Sequence, residues 1–205
     1  RWRQPGGFRE VLQIAVPLII STSAWSVQHF VDRVFLSWHS REAVAAAMPA
    51  GMLNFMFASF FLGTIGYVNT FVAQYTGAGR KHRVGPAVWQ GTYFSVLGGI
   101  FMLGLVPFSD WFFEMAAHDQ SIRSLESDYF RINCFLGPSM AGLALSAFFS
   151  GRGETLTVMW VNMVATGVNV LLDYAWIFGK WGFPAWGIQG AAWATVVAHY
   201  VMMII

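Results

Sequence analysis

Residues 155–178 read TLTVMWVNMVATGVNVLLDYAWIF, and the reading of this stretch decides the fold. At 1.5 Å per residue the run makes a helix about 36 Å long, enough to cross the hydrocarbon layer of a bilayer. Asn169 and Asp173 interrupt its apolar character. They are four residues apart and therefore share one helix face. An amide oxygen and a carboxylate on one face offer hard oxygen donors to a cation, or a hydrogen-bonded station for a proton. The alternative is an interhelical polar clamp that holds a membrane bundle together. For Asp173 the functional reading is favoured, because an ionisable group is a costlier clamp than an amide.

A second acid reaches the same depth. The first long apolar run, residues 11–31, closes on Asp32. Counted from Val11, Asp32 lies about 30 Å along its helix; counted from Thr155, Asp173 lies about 27 Å along. If both helices enter from one side, the two acids meet at one level toward the far leaflet. That suggests a shared cation or proton site at Asp32 and Asp173, with Asn169 beside them. Gln28 and His29 precede Asp32 by four and three positions and are candidate residues beside it. His29 reads either as a proton shuttle or as an ordinary hydrogen-bonded histidine. Arg33 points about 100° away from Asp32. It is expected to snorkel to the outer interface, the alternative being that its charge favours the ionised form of Asp32.

Composition agrees with a membrane setting. Charged residues are 11% of the chain, against about 25% in a typical soluble domain. A formal charge of +2, with no basic cluster large enough to track a phosphate backbone, argues against nucleic acid as a partner. The lone Cys134 allows no intrachain disulfide and reads as a buried apolar thiol.

Six spans are expected: residues 11–36, 49–73, 84–108, 132–149, 155–178 and 187–205. Residues 109–131, which carry five acids, read as the longest polar connection. With the N-terminus in the cytoplasm, the inner loops hold Arg1, Arg3, Arg9, Arg80, Lys81, Arg83 and Arg152. The outer ones hold Arg41, Arg123, Arg131 and Lys180. Seven against four favours this orientation, in a cytoplasmic membrane. A cleaved signal peptide over the first helix is the alternative, disfavoured by the five spans that follow. Asn54, Asn69 and Gln90 read as interhelical polar contacts. The run from Met52 to Phe61, and Tyr129, read as core or lipid-facing, with pocket lining the alternative.

Several stretches together resemble the multidrug and toxic compound extrusion (MATE) family. They are Phe30-Val31-Asp32, the FVAQYTGAGR segment of residues 71–80, Gln90-Gly91, and the block from Asn169 and Asp173 through Gly179, Pro184, Gly187, Gly190 and Ala194 to Thr195. The resemblance runs from about Pro17 to the end. It implies an all-α integral membrane fold, in which residues 1–205 form one six-helix lobe of a twelve-helix antiporter. It implies exchange of Na⁺ or H⁺ for organic, often cationic, compounds, with membrane lipid and a C-terminal lobe as partners and no cofactor beyond the coupling ion. It places Asp32, Asn169 and Asp173 at the family's N-lobe ion site, with Thr195 as a further candidate. Arg33 departs from many members. A lone lobe supplies one wall of an alternating-access cavity, so the 205 residues alone are expected not to drive transport.

Three rivals remain, and the paired acids at matched depth argue against one of them, a purely structural membrane subunit. An intramembrane aspartyl protease also uses two membrane acids, but it needs Tyr-Asp and Gly-x-Gly-Asp. Here Asp173 precedes Tyr174 and no Gly-x-Gly-Asp occurs, so an enzyme is not expected. A lipid-linked-sugar flippase would line its cavity with cations to meet a pyrophosphate, and only Arg33 lies near membrane depth.

Overall fold

The computed structural model describes residues 7–116 and 119–205, and among these there are helices and turns but no strands. Helix α1 spans Phe8–His39, α2 Arg41–Gly66, α3 Val68–Gly77, α4 Val84–Gly104 and α5 Ser109–Met115. Helix α6 spans Gln120–Asn133, α7 Ala141–Ser150, α8 Thr155–Phe178 and α9 Ile188–Ile204. Short 3₁₀ turns at Lys81–Arg83, Val106–Phe108, Cys134–Leu136 and Pro138–Met140 join some of these end to end. The result is five rods long and apolar enough to cross a membrane, plus the shorter apolar α9. Large apolar side chains such as Phe30, Phe60, Ile100 and Trp160 face outward, as a lipid-facing surface requires.

Two expected boundaries are corrected. The second span begins at Arg41 rather than near residue 49. The Ser40 hydroxyl caps it, accepting from the Ala43 N–H at 3.0 Å, and Pro49 lies inside the helix instead of opening it. Residues 109–131 are not a loop. They form α5 and α6, and α6 runs on through two 3₁₀ turns into α7. Hydropathy hides this because α6 is amphipathic. It buries Glu126, Tyr129, Phe130, Ile132 and Asn133, while Arg123, Asp128 and Arg131 pair at the rim. Arg131 bridges to Asp110 at 3.0 Å and Asp128 at 3.8 Å, Ser127 donates to Asp110, and Gln189 donates to Asp128 at 2.9 Å.

Small residues set how closely the rods approach, since association inside a membrane relies on packing rather than on expulsion of water. A Cβ on Gly137 would lie 2.9 Å from the Cα of Gly99, so α4 meets the fourth rod backbone to backbone. A Cβ on Gly190 would lie 2.7 Å from the carbonyl carbon of Trp176, which seats α9 against α8. Between these two helices the chain reverses at Gly179, whose φ of 65° is left-handed, and Trp186 N–H returns to the Trp176 carbonyl at 2.8 Å. Of the expected interhelical amides, Asn69 accepts from Ser150 at 2.8 Å and Asn54 faces the Cys134 sulfur at 4.0 Å. Gln90 is exposed instead. Arg1 and Arg3, which entered the charge balance, lie outside the described residues.

Candidate ion-coupling site

Helix α1 packs along α8, and α8 along α9, so one line of polar side chains from three helices meets in the interior. Asp32 comes from the last third of α1, Asn169 and Asp173 from one face of α8, and Thr195 from the second turn of α9. Asn169 and Asp173 are fully buried and Asp32 is 5% exposed. The hydrogen-bonding pattern selects the orientation of the Asn169 amide: its nitrogen donates to Asp32 Oδ1 at 3.1 Å and to Asp173 Oδ2 at 3.2 Å. The amide oxygen then lies 3.4 Å from Thr195 Oγ1, whose one proton goes to the Ala191 carbonyl at 3.1 Å. Asp173 Oδ1 is buried with no hydrogen-bond partner.

The sequence candidates therefore separate into two groups. Asp32, Asn169, Asp173 and Thr195 come together. Gln28 is buried one turn before Asp32, in a small recess shared with Asn162, Thr166 and His199. His29 is exposed and stands on the wall of a large cleft instead. The cleft has a volume of about 830 Å³ and is walled by α1, α2, the fourth rod, α8 and α9. Its lining is mostly apolar, with Trp25, Met52, Phe55 and Met140 among the side chains, so part of the stretch from Met52 to Phe61 is pocket wall.

Arg33 is corrected. It does not snorkel outward. Its guanidinium turns across the cleft wall to the backbone of α2, where Nη2 donates to the Ala47 carbonyl at 3.5 Å, and Nη1 is buried without a partner. Two further residues join the site. Tyr129 is buried and lines the same cleft as Asp32, Arg33 and Asn133. It is held there by α6, the helix that a hydropathy profile reads as a loop. His199 sits one turn beyond Thr195, with Nδ1 2.8 Å from the Thr195 carbonyl and its ring edge-on to Trp25. The four-residue spacing from Thr195 was its only signal in the sequence. Among the described residues no cluster of three His, Cys, Asp or Glu side chains could hold a metal ion, so any cation here would rely on two carboxylates, an amide and a hydroxyl.

A bundle that shows lipid its apolar side chains, and buries two carboxylates behind a wide cleft, has the build of a multi-pass membrane transporter. Comparison with known proteins identifies which kind. The MatE family profile matches residues 17–175, and the chain belongs to that family. It is 31% identical over 201 residues to the "Probable multidrug resistance protein NorM" of Synechocystis sp., covering 96% of this chain and 43% of that protein. It is 27% identical over 198 residues to the protein of the same name from Thermotoga maritima, covering 94% and 42%. Among solved structures, an outward-facing multidrug resistance MATE family transporter of the MOP superfamily superposes with a TM-score of 0.86 at 18% identity, covering 95% of this chain and 43% of that one. A MATE protein in complex with MaL6 superposes at 0.85 with 21% identity, covering 95% and 43%. These likenesses are of fold. The chain spans less than half the length of the relatives it matches.

Proposed function

We propose that the chain is one six-helix lobe of a cation-coupled antiporter, which exports organic compounds across the cytoplasmic membrane in exchange for Na⁺ or H⁺. The N-terminus lies in the cytoplasm, in keeping with the exposed Arg80, Lys81 and Arg83 at the α3 end of the bundle. The observation that carries the reading is the buried Asp32–Asn169–Asp173 bridge, at 3.1 and 3.2 Å, which meets the cleft wall at Asp32.

Two carboxylates sharing one site of low dielectric repel, so the pair is held together by a positive charge between them. Either a proton or a metal cation supplies it. For a proton, one carboxyl group donates to its neighbour. For Na⁺, the Asn169 amide turns over and presents its oxygen between the two carboxylates, beside the unpartnered Asp173 Oδ1, with its nitrogen then toward the Thr195 hydroxyl. Loss of the ion restores repulsion across the α1–α8 contact, and that contact forms part of the cleft wall. Ion occupancy and wall shape are thus coupled through a few ångströms of packed helix, and alternating access needs such a link.

The reading is tested by fluorescent-dye efflux from proteoliposomes that hold the complete gene product, under an imposed Na⁺ gradient and, separately, an imposed H⁺ gradient. One of the two gradients is expected to drive saturable dye movement. Movement indifferent to both would refute ion coupling.

A further inference from the structure

Of the two bridge acids only Asp32 reaches the cleft wall, and the Arg33 guanidinium stands on the same wall. We propose that Arg33 is a specificity-determining residue, which binds an anionic oxygen group, a carboxylate or a phosphate, on an otherwise apolar aromatic cargo. The proposal rests on the antiporter reading and narrows the cargo that the cleft takes.

Three observations support it. First, the guanidinium is incompletely satisfied. Among the described residues it makes no ion pair, its one hydrogen bond, to the Ala47 carbonyl, is long at 3.5 Å, and Nη1 has no partner. A cation at membrane depth is costly unless something pairs it, and the planar fork of arginine is shaped to pair with carboxylate or phosphate. Second, Asp32 is the one carboxylate among the cleft-lining residues; its Oδ1 accepts from Asn169, and it forms no ion pair with Arg33. The other titratable side chains on the wall are His29, Tyr129 and His199, none of them an anion near neutral pH when unperturbed. Third, the rest of the cleft suits an aromatic body. Trp25, Phe55, Met48 and Met52 offer flat and adaptable apolar contacts within a volume of about 830 Å³. A purely cationic cargo would meet an unpaired guanidinium here. A molecule that carries an acid group would neutralise it.

The test compares a fluorescent aromatic carboxylic acid with its methyl ester. Binding is measured at equilibrium to the complete gene product in phosphatidylcholine nanodiscs, for wild type, Arg33→Gln and Arg33→Lys. A charge-assisted contact predicts that the wild type binds the acid about ten- to a hundred-fold more tightly than the ester. Arg33→Gln should remove that preference and leave ester binding unchanged, and Arg33→Lys should keep part of it. Nanodiscs that also contain phosphatidylglycerol separate the sources of the anion. Competition by this lipid in wild type but not in Arg33→Gln would show that the group bound is a lipid phosphate, at the same arginine. Equal binding of acid and ester in wild type, absence of binding by either, or an equal loss of both in Arg33→Gln would overturn the proposal. The last result would mark Arg33 as a partner of Asp32 instead. Gradient-driven dye movement by the same protein in proteoliposomes keeps the two readings apart, since an antiporter with no acid preference fails only the Arg33 assignment.

Discussion

Asp32→Asn is expected to reduce gradient-driven efflux by the complete gene product to the background of cells that lack it, with membrane expression near wild type. The substitution is isosteric, so α1 still packs on α8. What changes is the charge and one acceptor. The Asn169 nitrogen now meets a neutral amide in place of Asp32 Oδ1, at 3.1 Å. A hydrogen bond to a charged group contributes about 1.5–3 kcal/mol, which corresponds to a loss of ion affinity of about ten- to a hundred-fold. With one negative charge gone from the site, the remaining carboxylate is balanced by a single positive charge and has no partner to repel when that charge leaves. Efflux in a dye-accumulation assay, beside surface expression of the same variant, checks this. Wild-type efflux would remove Asp32 from the coupling mechanism.

Gly190→Leu is expected to prevent assembly of a stable bundle. The added Cβ would lie 2.7 Å from the Trp176 carbonyl carbon and 2.8 Å from its oxygen, backbone atoms that cannot rotate aside. Overpacking of this kind costs about 1–3 kcal/mol even where neighbours can shift, and here α9 must move off α8 as a body. Thr195, one turn and a half further along α9, moves with it and leaves Asn169. Gly167→Leu on α8 is the contrast, since nothing lies within 4 Å of a Cβ there. Size-exclusion profiles of the detergent-solubilised proteins should show a monodisperse peak for Gly167→Leu and aggregate for Gly190→Leu. Equal profiles would mean that the α8–α9 contact is not close-packed.

How far the sequence discloses this arrangement depends on which physical signal each part leaves. The Asn169–Asp173 face follows from helical periodicity, because both residues lie on one uninterrupted apolar helix. The meeting of Asp32 with them follows from counting depth along two helices, a one-dimensional argument that a bilayer makes usable. Tyr129 reads as core or lipid-facing first, with pocket lining only the alternative, because α6 is amphipathic and its polar half reads as a loop in any average of hydropathy. The direction of Arg33 was hidden for another reason. Snorkelling is the ordinary solution for an arginine near a helix end, and only the packing of α2 beside α1 brings the Ala47 carbonyl within reach. The glycine contacts are of the same kind. What a Cβ at position 99 or 190 would strike is a property of the partner helix, and the residues around the glycine do not encode it.

The central claim is that the Asp32–Asn169–Asp173 bridge carries the ion that moves against the cargo. The most direct measurement is the ion flux itself. Proteoliposomes of the complete gene product, loaded with a pH-sensitive dye or assayed for radioactive sodium, are given cargo on one side with no ion gradient imposed. The account predicts a cargo-driven flux of H⁺ or Na⁺ in the opposite direction, lost in both Asp32→Asn and Asp173→Asn while passive ion leak is unchanged. Cargo movement with no accompanying ion flux, or an ion flux that survives both substitutions, would contradict it.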